Sequence, residues 1–144
     1  MKRGRSANAA DAGVARDARP GAASALGDLE REVMNIVWAT GETPVRTVLG
    51  ILNAQSGRDR AYTTVMTVMA NLARKGLLTR RREGRTDLYS AAVSRDGYTE
   101  ARARHEIQAL VSRYGDVALA HFAREVDRLD PDRRRRLREL VDDD

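Results

Sequence analysis

Thr63, Thr64, Thr67, Asn71 and Arg74 recur within the segment Tyr62–Lys75. On a helical wheel at about 100° per residue, Val65, Val68, Met69 and Leu72 point one way. Thr63, Thr67, Ala70 and Arg74 point the other way, with Met66, Thr64 and Asn71 flanking them. The outward face is small and polar rather than a wall of Glu and Lys, which suits a helix that must lie deep in a DNA major groove. Thr hydroxyls can bond base edges or phosphates, Thr methyls can touch a thymine methyl, and Asn71 can read a base edge. Arg74, near the C-terminal end, is better placed for a phosphate, and Tyr62 either packs at the helix start or touches one. The same spacing also describes an ordinary amphipathic helix with a Thr-rich exterior.

A second cluster follows directly. Arg80, Arg81, Arg82 and Arg85 fall on the arms and tip of a predicted hairpin: Leu77–Arg82, a turn at Glu83-Gly84-Arg85, and a return over Thr86–Ser90. Such a ribbon reaches across the DNA backbone toward a minor groove, where Arg is favoured. The segment Arg58–Arg85 carries a net charge of +6, more than the +5 of the whole chain, whereas residues 92–144 sum to −1. A local basic block beside a neutral remainder points to a polyanion partner, although an Arg-rich solvated surface gives the same count. Helix face and hairpin are independent features aimed at one ligand, double-stranded DNA.

Other chemistries find little support. There is no Cys, which excludes disulfides, thiolate catalysis and Cys-based metal sites. The two His residues, His105 and His121, sit on different predicted helices without a motif beside either, and no Gly-rich loop cradles a phosphate. We therefore expect no enzyme activity, no cofactor and no metal. No apolar run approaches the ~20 residues of a membrane helix, and no apolar stretch follows the basic N-terminus as a secretory signal would require. The expected location is the cytoplasm.

The elements that must position these residues follow from periodicity. Residues 1–25 are rich in Ala, Gly, Ser, Arg and Asp and are expected to form a disordered basic tail. Leu29, Val33, Ile36 and Val37 mark a first helix with Asp28 as N-cap. Thr43-Pro44 reads as N-cap and first position of a second helix, carrying Val45, Val48, Leu49 and Leu52, and Asn53–Asp59 reads as a loop. The third helix ends at Gly76, a good C′ residue. Beyond the hairpin, helices are expected over about 95–114, 117–128 and from Asp130-Pro131 onward. Their apolar faces, too few and too small for a self-sufficient core, suggest burial against a second copy through Ile107, Leu110, Val111, Tyr114, Ala120, Ala123, Leu137 and Leu140. The fold class is mainly α with a small β-wing: a winged helix-turn-helix DNA-binding domain over 26–92 and a three-helix dimerisation region over 93–144.

Leu29-Glu30-Arg31-Glu32-Val33-Met34-Asn35-Ile36-Val37-Trp38 closely resembles the first helix of the penicillinase-repressor family (BlaI/MecI/CopY type). So do Tyr62-Thr63-Thr64-Val65-Met66-Thr67 and Leu72-Ala73-Arg74-Lys75-Gly76-Leu77-Leu78, followed by a hairpin ending in Tyr89. The resemblance covers about residues 26–141. It implies a homodimeric winged-helix repressor of a palindromic operator, with three interlocked C-terminal helices, controlling β-lactam-response or related stress genes. Two departures stand out. CopY-type members sense copper through C-terminal cysteines, which this chain lacks. Antibiotic-responsive members carry an Asn-Phe cleavage bond in the first dimerisation helix, where a gapless count from Phe122 places His105-Glu106 here. A regulatory protease is a further partner that the resemblance implies. Two other readings remain: a winged-helix protein-interaction module, and a regulator gated by a small molecule.

Overall fold

The computed structural model describes residues 24–143, so nearly all of the expected N-terminal tail lies outside the described residues. Among them the order is α1 (Asp28–Thr40), β1 (Thr43–Pro44), α2 (Val45–Ser56), α3 (Tyr62–Arg74), β2 (Leu78–Glu83), β3 (Thr86–Ala91), α4 (Arg95–Tyr114), α5 (Asp116–Asp127) and α6 (Pro131–Asp142). Three helices followed by a β-ribbon form a winged helix.

The apolar stripes of α1, α2 and α3 meet in one aliphatic core. Val33, Met34, Ile36, Val37, Val45, Val48, Leu52, Val65, Met69 and Leu72 are buried there, closed from the ribbon side by Leu77, Leu78, Tyr89 and Val93. At about 1.5–3 kcal/mol per buried large side chain, this cluster is the main stabilising term for the unit. Val68, expected in the stripe, is only half-buried at its margin.

Two helix starts differ from expectation. Gly27, not Asp28, is the N-cap of α1, and Glu30 closes the turn by accepting the Gly27 N–H at 3.0 Å. The start of α2 is displaced by one residue: Pro44, not Thr43, is its N-cap, and Thr43-Pro44 forms the short strand β1, pairing Thr43 with Tyr89 and Pro44 with Leu88. The sheet order is β1-β3-β2. A two-residue strand has no alternation to detect, and Thr-Pro satisfies helix-start rules equally well, so its partner strand decides. α2 also continues to Ser56 through residues read as loop.

The α3-to-β2 junction is a Schellman motif: Leu77 N–H donates to Leu72 C=O at 2.9 Å and Gly76 N–H to Ala73 C=O at 3.0 Å. It requires the left-handed backbone that Gly76 adopts at φ 86°. That reversal is what sets the ribbon immediately after α3. In the ribbon, Arg80 opposes Tyr89, Arg81 opposes Leu88 and Arg82 opposes Asp87. Alternation therefore puts Arg80 and Arg82 on the face of buried Tyr89 and puts Arg81 on the other.

The described residues divide into two compact units, one ending at Ala103 and the other beginning at Arg104. The division falls inside α4 because its first turns are clamped to α1. Trp38 Nε1 donates to Val93 C=O at 2.9 Å, and its ring lies 5.7 Å from that of Tyr98. The Arg95 guanidinium sits 4.9 Å from the Trp38 ring centre and donates to Asn35 Oδ1 at 2.8 Å. Tyr98 OH donates to Ser24 C=O at 2.9 Å.

Candidate nucleic-acid interface

Helix α3 presents the face read from its spacing. Tyr62, Thr63, Thr64, Met66, Thr67, Ala70 and Arg74 are exposed, while Asn71 is half-buried. Asn71 Oδ1 accepts from the Arg74 guanidinium at 3.2 Å, so the two side chains hold one another at the C-terminal end of the face.

The basic block sorts into committed and open cations. Lys75 Nζ lies 2.8 Å from Glu30 Oε2, tying the end of α3 to the start of α1. Burial alone would raise the Glu30 pKa, but the Lys75 hydrogen bond, the Gly27 N–H and the charges of Lys75 and Arg74 outweigh it and hold the carboxyl below its ordinary value. Arg60 is largely buried beside Glu32 at 3.9 Å, with its backbone fixed by Asn53. Arg81 forms a forked pair with Glu42 at 2.9 and 3.0 Å. That hydrogen bond is the leading cause of a lowered Glu42 and a raised Arg81 pKa. Arg82 donates to Asp87 Oδ1 at 3.3 Å and to Gly84 C=O at 3.2 Å. Among the described residues, no hydrogen bond or ion pair reaches the side chains of Arg46, Arg58, Arg80 or Arg85.

Two of these four, Arg46 and Arg85, meet at one cleft. A cleft of about 380 Å³ is lined by Arg46, Thr47, Tyr62, Met66, Arg85 and Thr86, with Pro44, Val45, Asp87 and Tyr89 completing it. It brings the first turn of α3 and the tip of the wing onto the first turn of α2. Arg46 and Thr47 were not singled out from sequence. The available signal was a cation in a first helical turn, the end where the macrodipole disfavours it. Of the six described helices, α2 and α3 alone start with neither an acidic residue in the first turn nor a side-chain cap. Their free N–H groups favour an anion on this side of the molecule.

The second unit has the opposite character. Neither α5 nor α6 contains a buried residue. Ile107, Leu110, Tyr114, Leu137 and Leu140 are all exposed, as are Ala120 and Ala123, while Val111 is half-buried. Leu119 and Phe122, absent from the expected set, are 50% and 37% exposed and widen the apolar surface. His105 and Glu106 lie in α4 and are exposed. No helix among the described residues is long and apolar enough to cross a membrane, and no cluster that could hold a metal occurs among them.

The penicillinase repressor family profile matches residues 26–143. A transcriptional regulator BlaI of Mycobacterium tuberculosis is 41% identical over 103 residues, covering 70% of this chain and 73% of that protein. An uncharacterised 16.5 kDa protein of Latilactobacillus sakei is 39% identical over 64 residues, 44% of this chain and 42% of that one. The solution structure of the DNA-binding domain of the repressor BlaI superposes with a TM-score of 0.46 at 26% identity, covering 53% of this chain and 90% of that one.

Proposed function

The chain belongs to the penicillinase repressor family, and from that premise we propose that it is a transcriptional repressor that binds a palindromic operator as a homodimer. α3 enters the major groove, with Thr63, Thr64 and Thr67 against base edges and Asn71 and Arg74 at the far end. The wing follows the backbone through Arg85, with Arg81 and Arg82 beside it. Arg46 and the open N-termini of α2 and α3 take a phosphate. Repression is steric, because an occupied promoter palindrome is denied to RNA polymerase. The observation that carries this reading is the exposed small polar face of α3 together with a cleft where the first turn of α3 meets the uncommitted wing-tip Arg85 and Arg46, in a helix turn without acid.

The dimer rests on the coreless second unit, whose exposed leucines and aromatics need an apolar partner. Two-fold symmetry would then offer two α3 helices to half-sites one turn or more apart. The family and its relatives support targets in β-lactam response or related stress, and the cytoplasm as the location.

Salt titration of duplex binding tests the reading. With ~6–10 phosphates neutralised per dimer, affinity falls by ~10³–10⁵ between 50 and 200 mM salt. A flat profile contradicts it. Sedimentation of the free chain checks the dimer separately.

A further inference from the structure

Met66 differs in kind from the side chains around it on α3. It flanks the exposed row of Thr63, Thr67 and Ala70, all of them small, and is itself 41% exposed. Tyr62, one turn earlier, is 43% exposed. On the wheel both fall on one flank of the Thr row, while Thr64 and Asn71 fall on the other. The apolar flank is the one that meets the cleft, since Tyr62 and Met66 line it with Arg46 and Arg85. Met34 and Met69, the other described methionines, are fully buried in the core.

An exposed apolar residue is ordinary on a protein surface. What singles out Met66 is its place between the Thr row and two open cations. Base edges in the major groove offer hydrogen-bond donors and acceptors, and thymine alone adds an apolar group, its C5 methyl. Met66 brings no donor and only a weakly accepting thioether. Seated over a polar edge, it would displace water without replacing the lost hydrogen bond, which costs free energy. Seated over a methyl, it buries apolar surface on both partners. Its unbranched chain has three rotatable bonds and adapts its reach. Ala70, one turn further on, adds no bulk that would hold a base edge away.

We propose that Met66 is a specificity-determining residue that reads the C5 methyl of a thymine in each half-site. The proposal rests on the DNA reading above and adds the base that the cleft-side flank of α3 selects. Thr64 and Asn71, on the opposite flank, are left to hydrogen-bonding edges.

Deleting one methyl group from the DNA tests this. Duplexes are selected from a random pool by the full-length chain, and each thymine of the selected sequence is replaced by uracil in both half-sites at once. Uracil keeps the hydrogen-bonding groups of thymine and lacks only the methyl. At about fourfold per buried methyl, one symmetry-related pair of positions should lose about fifteenfold in affinity. Met66→Ala should bind the thymine duplex more weakly than the wild type and show no further loss with uracil at that pair. Thr67→Ala should keep the full loss there, which separates Met66 from the Thr methyls. Uracil tolerated at every position, or a loss that persists in Met66→Ala, overturns the proposal and leaves the DNA reading intact. A chain that selects no sequence overturns both. Oxidation gives a second readout. Hydrogen peroxide converts accessible methionine to the sulfoxide, and buried Met34 and Met69 serve as internal controls. The selected duplex should slow sulfoxide formation at Met66 severalfold, followed by mass spectrometry. An equal rate with and without the duplex overturns the contact.

Discussion

Arg85 should carry more of the wing's contact with DNA than its neighbours. It stands at the tip, in the two-residue turn between Glu83 and Thr86, and no carboxylate holds it among the described residues. Arg82 is held by Asp87 and Gly84, and Arg81 by Glu42. Each phosphate contact contributes about 0.9 to the slope of log affinity against log salt. A dimer presents two wings, so Arg85→Ala should flatten the slope by about 1.8. Between 50 and 200 mM salt the wild type should then lose about twelvefold more affinity than the variant. The control removes a neutral pair, Arg82→Ala with Asp87→Ala, and should shift the slope by less than about 0.5. Fluorescence anisotropy on one duplex across a salt series measures both, with thermal melting as a check that the hairpin survives. An unchanged slope in Arg85→Ala, or an equal change in the paired control, would refute the division into open and committed cations.

Further outcomes follow from the same geometry. Thr67→Ala should weaken a cognate site by ~1–3 kcal/mol while leaving random DNA nearly unchanged, measured by competition between the two duplexes. Glu30→Gln should destabilise the winged helix by ~1–2 kcal/mol at pH 7, because it leaves Lys75 without its carboxylate. Since the folded Glu30 pKa lies below its ordinary 4.5, that contribution is complete above the ordinary value. It disappears as pH falls through the folded one, so denaturant curves of wild type and variant should converge in acid. A chain ended after Ala103 should keep the Trp38–Tyr98 clamp and fold, yet sediment as a monomer and lose operator affinity with its second half-site. In cells challenged with a β-lactam, the chain should not be cut between His105 and Glu106. A pocket shaped for Phe would have to desolvate the Glu106 carboxylate, and mass spectrometry of the repressor locates any cut.

What the sequence disclosed and what it concealed divide along range. The stripes of α1, α2 and α3 were legible because helical spacing is local, and so was the hairpin, with Gly84 marking its turn. The Thr face of α3 was legible for the same reason: its residues lie within a few turns. Strand β1 was not, since two residues carry no period and their pairing to Tyr89 and Leu88 is made by a distant segment. Along the chain, Arg58–Arg85 is a basic block opposed only by Asp59 and Glu83. Folding brought Glu30, Glu32 and Glu42 to Lys75, Arg60 and Arg81, separations that no window sees. The block is thereby thinned to the cations that remain open. Arg46 joins them from another helix, and only the cleft reveals it. The clamp of Trp38 on Val93 and Tyr98 likewise depends on packing rather than pattern, and it explains why the first compact unit reaches into α4.

In the proposed repressor, two copies of this chain present two α3 helices to an inverted repeat. Genome-wide sequencing of the DNA bound to the full-length chain in its native cells tests it directly. A homodimer should enrich one motif made of two inverted half-sites with centres about one helical turn, or a whole number of turns, apart. The motif should disappear for Thr63→Ala with Thr67→Ala, although that variant retains salt-sensitive binding to random duplex. Enrichment without an inverted repeat, or a motif indifferent to those two substitutions, would contradict it.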